Sequence, residues 1–400
     1  MFSYEEIKTI RKQFPILKKK NIIYFDNAAT TQKPFQVINA ITKYYCNFNS
    51  NVKRSFNFLG KVSTNCLELS RNNIQAFINA KSREEIIFTS GTTESINLIA
   101  FCIYKLIKKY DNIIISHSEH HSNIIPWQVL SQKKQATLKV IPVNSEGELN
   151  LRSFKKLITK NTKLISISHV TNTFGIINPI KTLIKTAHKY NSLVLIDGSQ
   201  AISHLTIDVQ NLACDFYVFS SHKMYGPTGL GILYGKKKLL DKFPPYQGGG
   251  GMIEKVTLKK TRFSGLPFKL EAGTPNISGI IGTNKALNFI VNYSIRKINN
   301  YETKLLKYAL KILSNIKGIK IYNYNKILSF NIENIHSFDL GKLLNNHGIA
   351  VRTGTHCAQP IMDYLKLNGT IRISFAIYNT IEEIDIFYNS LIKVLDFFIY

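Results

Sequence analysis

The segment Leu193-Val194-Leu195-Ile196-Asp197-Gly198-Ser199-Gln200 carries the pattern that decides the fold. Four consecutive apolar residues end in a carboxylate and a glycine, which is typical of a strand buried on both faces of a sheet. Similar short runs recur between helix-length segments, at residues 86–89, 113–116, 138–143, 163–168, 216–219 and 231–234. This alternation predicts an α/β fold with a large domain, in which helices sandwich a mostly parallel, seven-stranded sheet.

The pattern changes after the glycine run 248–251 and the turn-rich stretch Gly273-Thr274-Pro275. A long helical region is predicted over residues 278–316, followed by strands at residues 319–322, 327–332, 349–352 and 370–375. Thr380 and Glu383 match a Thr-x-x-Glu capping box at the start of a last helix. We therefore expect a large domain over residues 21–284 and a smaller α+β domain over residues 285–400, with residues 1–20 packing on the smaller one.

The chain is strongly basic, with 52 Lys and Arg against 25 Asp and Glu and a formal net charge of +27. A nucleic-acid surface would gather this charge into a stripe with stacking aromatics, but here it is scattered. The densest groups are only Lys18-Lys19-Lys20 and Lys236-Lys237-Lys238. Lys, Ile and Asn share A/T-rich codons, so genome composition explains the excess at least as well as a polyanionic partner does. The distribution weighs against a nucleic-acid partner, and a non-catalytic basic nucleic-acid-binding protein stays a remote alternative.

Other features of the sequence indicate the cellular compartment of the protein. The longest apolar runs fall well short of the roughly 18 residues that a membrane span needs, and the N-terminus lacks the apolar core of a signal peptide. The five cysteines are an odd number without a CxxC pair, so neither a disulfide framework nor a zinc site is predicted. We expect a cytoplasmic protein without a membrane partner or a metal.

Two predicted strands end in residues that suit a ligand site. Asp197 ends its strand, and Lys223 follows the strand at residues 216–219 within Ser220-Ser221-His222-Lys223. Ligands bind at the carboxyl ends of parallel strands, so both side chains are expected at one edge of the sheet. Alone, the aspartate is equally typical of a turn cap, and most lysines are solvated. Together they match the Schiff-base lysine and the pyridine-nitrogen partner of pyridoxal phosphate.

Further candidates follow other strands. Thr92 lies in Thr89-Ser90-Gly91-Thr92-Thr93, where small hydroxylated residues at the start of a helix suit either a phosphate site or an ordinary N-cap. The histidines of His117-Ser118-Glu119-His120-His121 lack HExxH spacing, so stacking on a ring, capping and surface positions stay open besides a metal. Cys357, in Gly354-Thr355-His356-Cys357-Ala358, is either a buried apolar residue or a thiolate favoured by Arg352 and His356. Arg372 has apolar neighbours, which suits an arginine that binds a substrate carboxylate.

Taken together, these motifs resemble the class V aminotransferase group of the fold type I pyridoxal-phosphate enzymes. The resemblance extends from Tyr24-Phe25-Asp26-Asn27-Ala28-Ala29-Thr30-Thr31 to the strand around Arg372. Arg352-Thr353-Gly354-Thr355-His356-Cys357-Ala358 is similar to the signature of group II, or Suf-type, cysteine desulfurases. This implies an enzyme that converts L-cysteine to L-alanine, with selenocysteine lyase or cysteine sulfinate desulfinase as alternatives.

The resemblance also implies a role for each candidate. Lys223 would bind pyridoxal 5'-phosphate covalently, and Cys357 would take the sulfur as a persulfide. The other implied roles belong to two groups of side chains. Those that would hold the cofactor are Asp197 at the ring nitrogen, His120 on the ring, Gln200 at the phenolic oxygen, and Thr92, Ser220, His222 and a second subunit's Thr274 at the phosphate. Those that would hold the substrate carboxylate are Asn172 and Arg372.

The resemblance implies partners as well. These are a second copy of the chain in a homodimer, a sulfur acceptor of the SufE or SufU type, and the Suf scaffold on which iron–sulfur clusters assemble. The chain departs from the group's pattern in two places. Val52-Lys53-Arg54-Ser55-Phe56-Asn57 replaces a Val-His-Arg-Gly-x-His pattern, so that Lys53 and Asn57 stand where histidines are expected. Thr355 stands where relatives often carry histidine.

Overall fold

The computed structural model of the protein describes residues 2–19, 22–53, 57–322 and 327–396. Lys20, residues 54–56 of the departing motif and Tyr400, at the end of the predicted last helix, lie outside these ranges. The α-helices within them are α1 Tyr4–Arg11, α2 Ile16–Lys19, α3 Phe35–Asn47, α4 Phe58–Phe77, α5 Thr92–Cys102, α6 Ile125–Lys134, α7 Leu151–Leu157, α8 Ile180–Lys189, α9 Val209–Leu212, α10 Lys237–Leu240, α11 Ile277–Tyr293, α12 Ile295–Leu313, α13 Ser337–Asn346, α14 Gln359–Tyr364 and α15 Ile381–Asp396. The strands are β1 Ile23–Tyr24, β2 Ile86–Thr89, β3 Asn112–Ser116, β4 Thr137–Ile141, β5 Thr162–Ser168, β6 Leu193–Asp197, β7 Phe216–Ser220, β8 Gly231–Gly235, β9 Ile253–Val256, β10 Thr261–Phe263, β11 Ile319–Tyr322, β12 Leu328–Ile332, β13 Ile349–Ala350, β14 Arg352–Gly354 and β15 Thr370–Ile373.

Seven strands form the large sheet in the order β2-β8-β7-β6-β5-β3-β4, and β8 alone runs antiparallel to its neighbours. Alternate residues of β6 enter different apolar clusters: Val194 and Ile196 belong to one, and Leu195 belongs to the other. Because both faces are buried, a strand of continuous apolar residues is stable here. The predicted large, mostly parallel sheet is confirmed.

The smaller sheet has the order β11-β12-β15-β14, and all its pairings are antiparallel. The strand predicted over residues 349–352 is interrupted at Val351, because its two halves have different partners. β13 pairs with β1 in parallel, whereas β14 pairs with β15. This pairing brings β14 and the Cys357 loop that follows it beside Arg372 on β15.

The predicted helical region is two helices, α11 and α12, separated at Ser294, whose φ of +62° interrupts the helical backbone. The proposed boundary between residues 284 and 285 falls inside α11, which packs on α3 and α4. At the N-terminus, Arg11 forms a 2.6 Å ion pair with Glu383. The exact domain limits and the assignment of residues 1–20 stay a prediction.

The capping box of the last helix is present: the Thr380 hydroxyl accepts from the Glu383 N–H at 3.2 Å, and the Glu383 carboxylate accepts from the Thr380 N–H at 3.2 Å. Every helix in the described ranges is too short or too polar to cross a membrane.

Candidate active site

A cavity of about 210 Å³ lies at the carboxyl ends of the central strands, where the smaller sheet covers them. Ser168, Asp197 and Ser220 enter it as the last residues of β5, β6 and β7. Arg352 and Arg372 enter it from β14 and β15, so the cavity combines residues of both sheets. This is the edge at which open parallel sheets bind ligands.

Lys223 lies in this cavity on the short turn that follows β7. Its side chain faces the cavity and is otherwise enclosed by protein, and this burial lowers the pKa of the lysine to about 8. Asp197 opposes that shift, whereas the charges of Arg372 and Arg352 add to it. A lysine in such surroundings loses its proton more readily than one at the surface, which makes it a nucleophile and a base near neutral pH.

Asp197 is 7% exposed, and its Oδ1 accepts from the Ser199 N–H at 2.9 Å. This bond turns the chain at the strand end and holds the carboxylate toward the cavity. Gln200, also in the cavity wall, donates from its side-chain amide to the Ala28 carbonyl at 2.8 Å. The structure thus brings Asp197 and Gln200 into the same cavity as Lys223.

A cluster of hydroxyl groups lies at the start of α5. The Thr92 hydroxyl is 2.8 Å from the Ser199 hydroxyl and 2.7 Å from that of Ser220, and the Thr92 N–H donates to Ser220 at 2.9 Å. Three hydroxyl groups and the positive end of an 11-residue helix form an environment that suits a phosphate. His222 also lines the cavity, and burial lowers its pKa to about 4, which leaves the ring neutral.

His120 follows β3 and lines the cavity. Its Nδ1 accepts from the Ser122 N–H at 3.1 Å, which assigns the ring proton to Nε2. Burial, followed by the charge of Lys223, lowers its pKa to about 4, so the ring is neutral at physiological pH. A neutral planar ring suits stacking. No His, Cys, Asp and Glu cluster within the described ranges could hold a metal ion.

The loop that carries Cys357 closes one side of the cavity. His356 and Cys357 have φ values of 55° and 58°, which places two consecutive residues in the left-handed region. The guanidinium of Arg352 donates to the Cys357 sulfur at 3.9 Å. Burial lowers the pKa of His356 well below its usual range, so Arg352 is the cation beside the thiol and His356 is not. From the sequence alone, both residues are candidates for this role.

Arg372 is 2% exposed and joins three parts of the site. Its Nη1 donates to the Asn172 carbonyl at 2.7 Å, and its Nη2 donates to Asp26 at 3.1 Å. Burial lowers the pKa of Arg372 to about 10, and Asp26 opposes this. Asn172 in turn donates from its side chain to the His356 carbonyl at 2.6 Å. Arg372 and Asn172 are thus together at the cavity, although their bonds to each other and to the loop could not be read from the sequence.

The structure places one candidate elsewhere. Thr274 does not line the cavity and lies 3.5 Å from the Asn51 side chain, in a second depression of about 350 Å³. Its predicted contribution therefore depends on a second copy of the chain. Asp26 and His121 contact Arg372 and the Cys357 loop, and neither is predicted as a site residue from the sequence. In the sequence, Asp26 lies two residues before Ala28 and His121 directly follows His120, and both Ala28 and His120 line the cavity.

Two of the departures from the group's pattern, Lys53 and Asn57, have structural partners. The Lys53 ammonium lies 3.7 Å from Glu271 and 4.1 Å from the centre of the Phe268 ring. Asn57 caps α4, because its side-chain oxygen accepts from the Gly60 N–H at 2.8 Å. Both residues thus have local contacts at α4 and the Glu271 segment, and neither lines the cavity.

The cavity residues fit a phosphorylated pyridine aldehyde. They provide an amine of lowered pKa, a carboxylate, a neutral ring and a hydroxyl cluster at a helix start, in one enclosed space. The buried Nε of Arg372 also has no protein partner in the part of the chain that the structure describes, so it can bind a ligand. Each of these groups matches one part of pyridoxal phosphate with its substrate.

Comparison with known proteins gives matches over nearly the whole chain. The family Aminotransferase class-V matches residues 23–387. A protein of Wigglesworthia glossinidia brevipalpis named cysteine desulfurase is 49% identical, with 98% of each chain covered. Among solved structures, the cysteine desulfurase CsdA of Escherichia coli superposes with a TM-score of 0.93 at 35% identity, and the apo cysteine desulfurase of Thermococcus onnurineus NA1 with 0.94 at 36%. Both alignments cover 99% of each chain.

Proposed function

Because the chain belongs to the class-V aminotransferase family, we propose that its cavity residues convert L-cysteine to L-alanine and place the released sulfur on Cys357. The protein is a cysteine desulfurase that uses pyridoxal 5'-phosphate. The observation that carries the proposal is that Lys223 and Cys357, on different parts of the fold, line one cavity.

Pyridoxal phosphate, when bound, supplies a conjugated ring that accepts electrons from the substrate's α-carbon. The residues that would hold it are those whose geometry is given above: Lys223 at the aldehyde, Asp197 at the ring nitrogen, His120 on the ring face, Gln200 at the phenolic oxygen, and Thr92, Ser220 and His222 at the phosphate. The carboxylate of Asp197 favours a protonated ring nitrogen, because the opposite charges attract within a buried site.

Arg372 binds the substrate carboxylate in this proposal. A guanidinium has five N–H bonds. Two of them are used by Asn172 and Asp26, so three remain for a substrate. The buried position excludes water and strengthens each charge-assisted bond. Asn172 assists by fixing the orientation of Arg372 through its carbonyl and that of the loop through its side chain.

Lys223 moves the protons. With a pKa lowered to about 8, its amine accepts the α-proton of the bound substrate near neutral pH and can return a proton to the product. Lys223 lines the same cavity as Asp197, Arg352 and Arg372, which supports its place beside the reacting atoms.

Cys357 accepts the sulfur. Its thiolate attacks the substrate sulfur, so that a sulfur–sulfur bond forms while the carbon–sulfur bond of the substrate breaks. The electron pair of the broken bond goes to carbon, which is then protonated. Cysteine and the Cys357 thiol thus become alanine and a Cys357 persulfide, and the step needs no external oxidant. The Arg352 guanidinium donates to this sulfur at 3.9 Å and so contacts the attacking atom directly.

Substitutions of two cysteines test this assignment. Cys357→Ser should stop alanine formation from L-cysteine, because the oxygen does not capture sulfur in this way, and it should leave the absorbance of the bound cofactor unchanged. Cys46→Ser is the matched control, since Cys46 is exposed and does not line the cavity. Full activity of Cys357→Ser would contradict the assignment, and activity on selenocysteine alone would favour a selenocysteine lyase.

We further propose that the persulfide passes to an acceptor of the SufE or SufU type and from there to a Suf cluster scaffold. Cys357 is partly exposed, which supports transfer to another protein. We also propose a homodimer in which Thr274 of a second copy completes the phosphate site, as the position of Thr274 outside the cavity of its own chain suggests. Sedimentation of the holoenzyme and the effect of Thr274→Val on cofactor affinity test the dimer proposal.

A further inference from the structure

His121 contacts the Cys357 loop twice. Its N–H donates to the Cys357 carbonyl at 2.7 Å, and its ring Nε2 accepts from the Gln359 N–H at 3.1 Å. The two bonds lie on either side of Ala358. One residue thus holds the backbone immediately before and after it, and the acceptor role of Nε2 assigns the ring proton to Nδ1.

The loop needs such support because its backbone is strained. His356 and Cys357 both have positive φ values, a conformation that is unfavourable for residues with a Cβ and that persists only where the surroundings enforce it. The backbone bond to the Cys357 carbonyl would be present with almost any residue at this position, whereas the bond to the Gln359 N–H needs the His121 ring. Without the ring bond, the loop can relax to a more common conformation. The Cys357 sulfur would then leave its position at the cavity.

Within the described ranges, the other contacts of the loop hold the neighbouring residues and not the Cys357 carbonyl itself. The Asn172 side chain binds the His356 carbonyl at 2.6 Å, and the buried Ile361 and Met362 of α14 pack in a small apolar cluster with Phe174. His121 acts between these two points. It directly follows His120, so the residue proposed to stack on the cofactor and the one that fixes the loop are adjacent in the chain.

We infer that His121 is a positioning residue that keeps the Cys357 sulfur in line with the substrate by fixing the loop's backbone. The inference rests on the proposed role of Cys357. His121 does not touch the substrate in this account, so its removal affects the sulfur-transfer step and leaves binding of cysteine intact. Reacting atoms displaced by about 1 Å react up to a hundredfold more slowly, whereas binding elsewhere in the site is unaffected.

Three variants of the holoenzyme test the inference. His121→Ala removes the acceptor for the Gln359 N–H, His121→Gln restores an acceptor oxygen at similar reach, and His336→Ala is the matched control. His336 is exposed and makes the same kind of bond elsewhere, with its ring Nδ1 accepting from the Phe338 N–H at 3.3 Å. The measurements are kcat and KM for alanine formation and hydrogen–deuterium exchange of the Gln359 amide.

His121→Ala should lower kcat at least about fivefold with KM within a factor of about two, and should speed exchange of the Gln359 amide, because one hydrogen bond is lost. His121→Gln should recover most of both losses, and His336→Ala should match the wild-type protein. Wild-type kcat in His121→Ala, or a loss that His121→Gln does not recover, overturns the inference. Failure of the wild-type protein itself to form alanine would instead refute the proposed function.

Discussion

Replacement of Arg372 by lysine tests how the site recognises its substrate. The change keeps a positive charge on β15 but replaces a planar fork of donors by a single ammonium group. Arg372 is 2% exposed and binds Asn172 and Asp26 through its two Nη atoms. A lysine cannot hold these two partners and a carboxylate with the same geometry. We therefore expect Arg372→Lys to weaken cysteine binding while cofactor binding is preserved.

The size of the effect follows from the bonds lost. A hydrogen bond to a charged group contributes about 1.5–3 kcal/mol. Lysine can supply one such bond to the substrate where arginine supplies two, so one bond is lost. This corresponds to a rise of about ten- to one-hundredfold in the KM for L-cysteine.

Steady-state alanine formation over a range of L-cysteine concentrations measures this KM. The wild-type enzyme should also discriminate strongly against cysteine methyl ester, which lacks the carboxylate, and Arg372→Lys should discriminate less. Arg83→Lys is a suitable control, because Arg83 is half-exposed and forms a surface pair with Glu68 at 3.6 Å. An unchanged KM in Arg372→Lys, with equal discrimination against the ester, would show that Arg372 does not bind the carboxylate.

Three further predictions concern the cofactor. Thr92→Val should weaken pyridoxal phosphate binding about tenfold, because one polar contact contributes roughly 1–1.5 kcal/mol. Equilibrium dialysis measures the dissociation constant of the cofactor. An unchanged dissociation constant would exclude the hydroxyl cluster as the phosphate site. Capture of the cofactor by cofactor-free protein should become faster as the pH rises to about 8 and then level off, because only the neutral amine of Lys223 attacks an aldehyde and burial lowers its pKa to about 8. Stopped-flow absorbance follows this reaction, and a rate that still rises tenfold per pH unit above pH 8 would contradict the lowered pKa. His120→Phe should retain the bound cofactor better than His120→Ala, because phenylalanine keeps a planar ring. The ring of His120 acts without a charge, since burial lowers its pKa to about 4. Equal loss of cofactor from both variants in dialysis would argue against stacking.

Much of the large sheet could be predicted, because a short run of adjacent apolar residues indicates each strand. β6 begins and ends at the predicted residues, since its apolar run ends at Asp197, and the turn with Lys223 follows β7 as expected. The rule that parallel strands end at one edge then brings the two side chains to one cavity. Short-range pattern and a general topological rule are sufficient for this part of the site.

Contacts between distant segments could not be predicted in the same way. Asp26 reaches Arg372 only because β15 and the segment after β1 meet in the fold, and no local periodicity encodes this bond. The break at Val351 likewise depends on the different partners of β13 and β14. His121 contacts the Cys357 loop through a backbone N–H, which every residue except proline carries, so its residue type gives no signal for that bond.

In the proposed reaction, Cys357 takes the sulfur of L-cysteine. The decisive measurement is a single-turnover reaction with L-cysteine, without a reductant or an acceptor, followed by mass spectrometry of both products. We expect alanine in an amount equal to the protein that gains one sulfur atom, with that atom on the peptide containing Cys357. Alanine without added sulfur on that peptide, or sulfur on another cysteine, would contradict it.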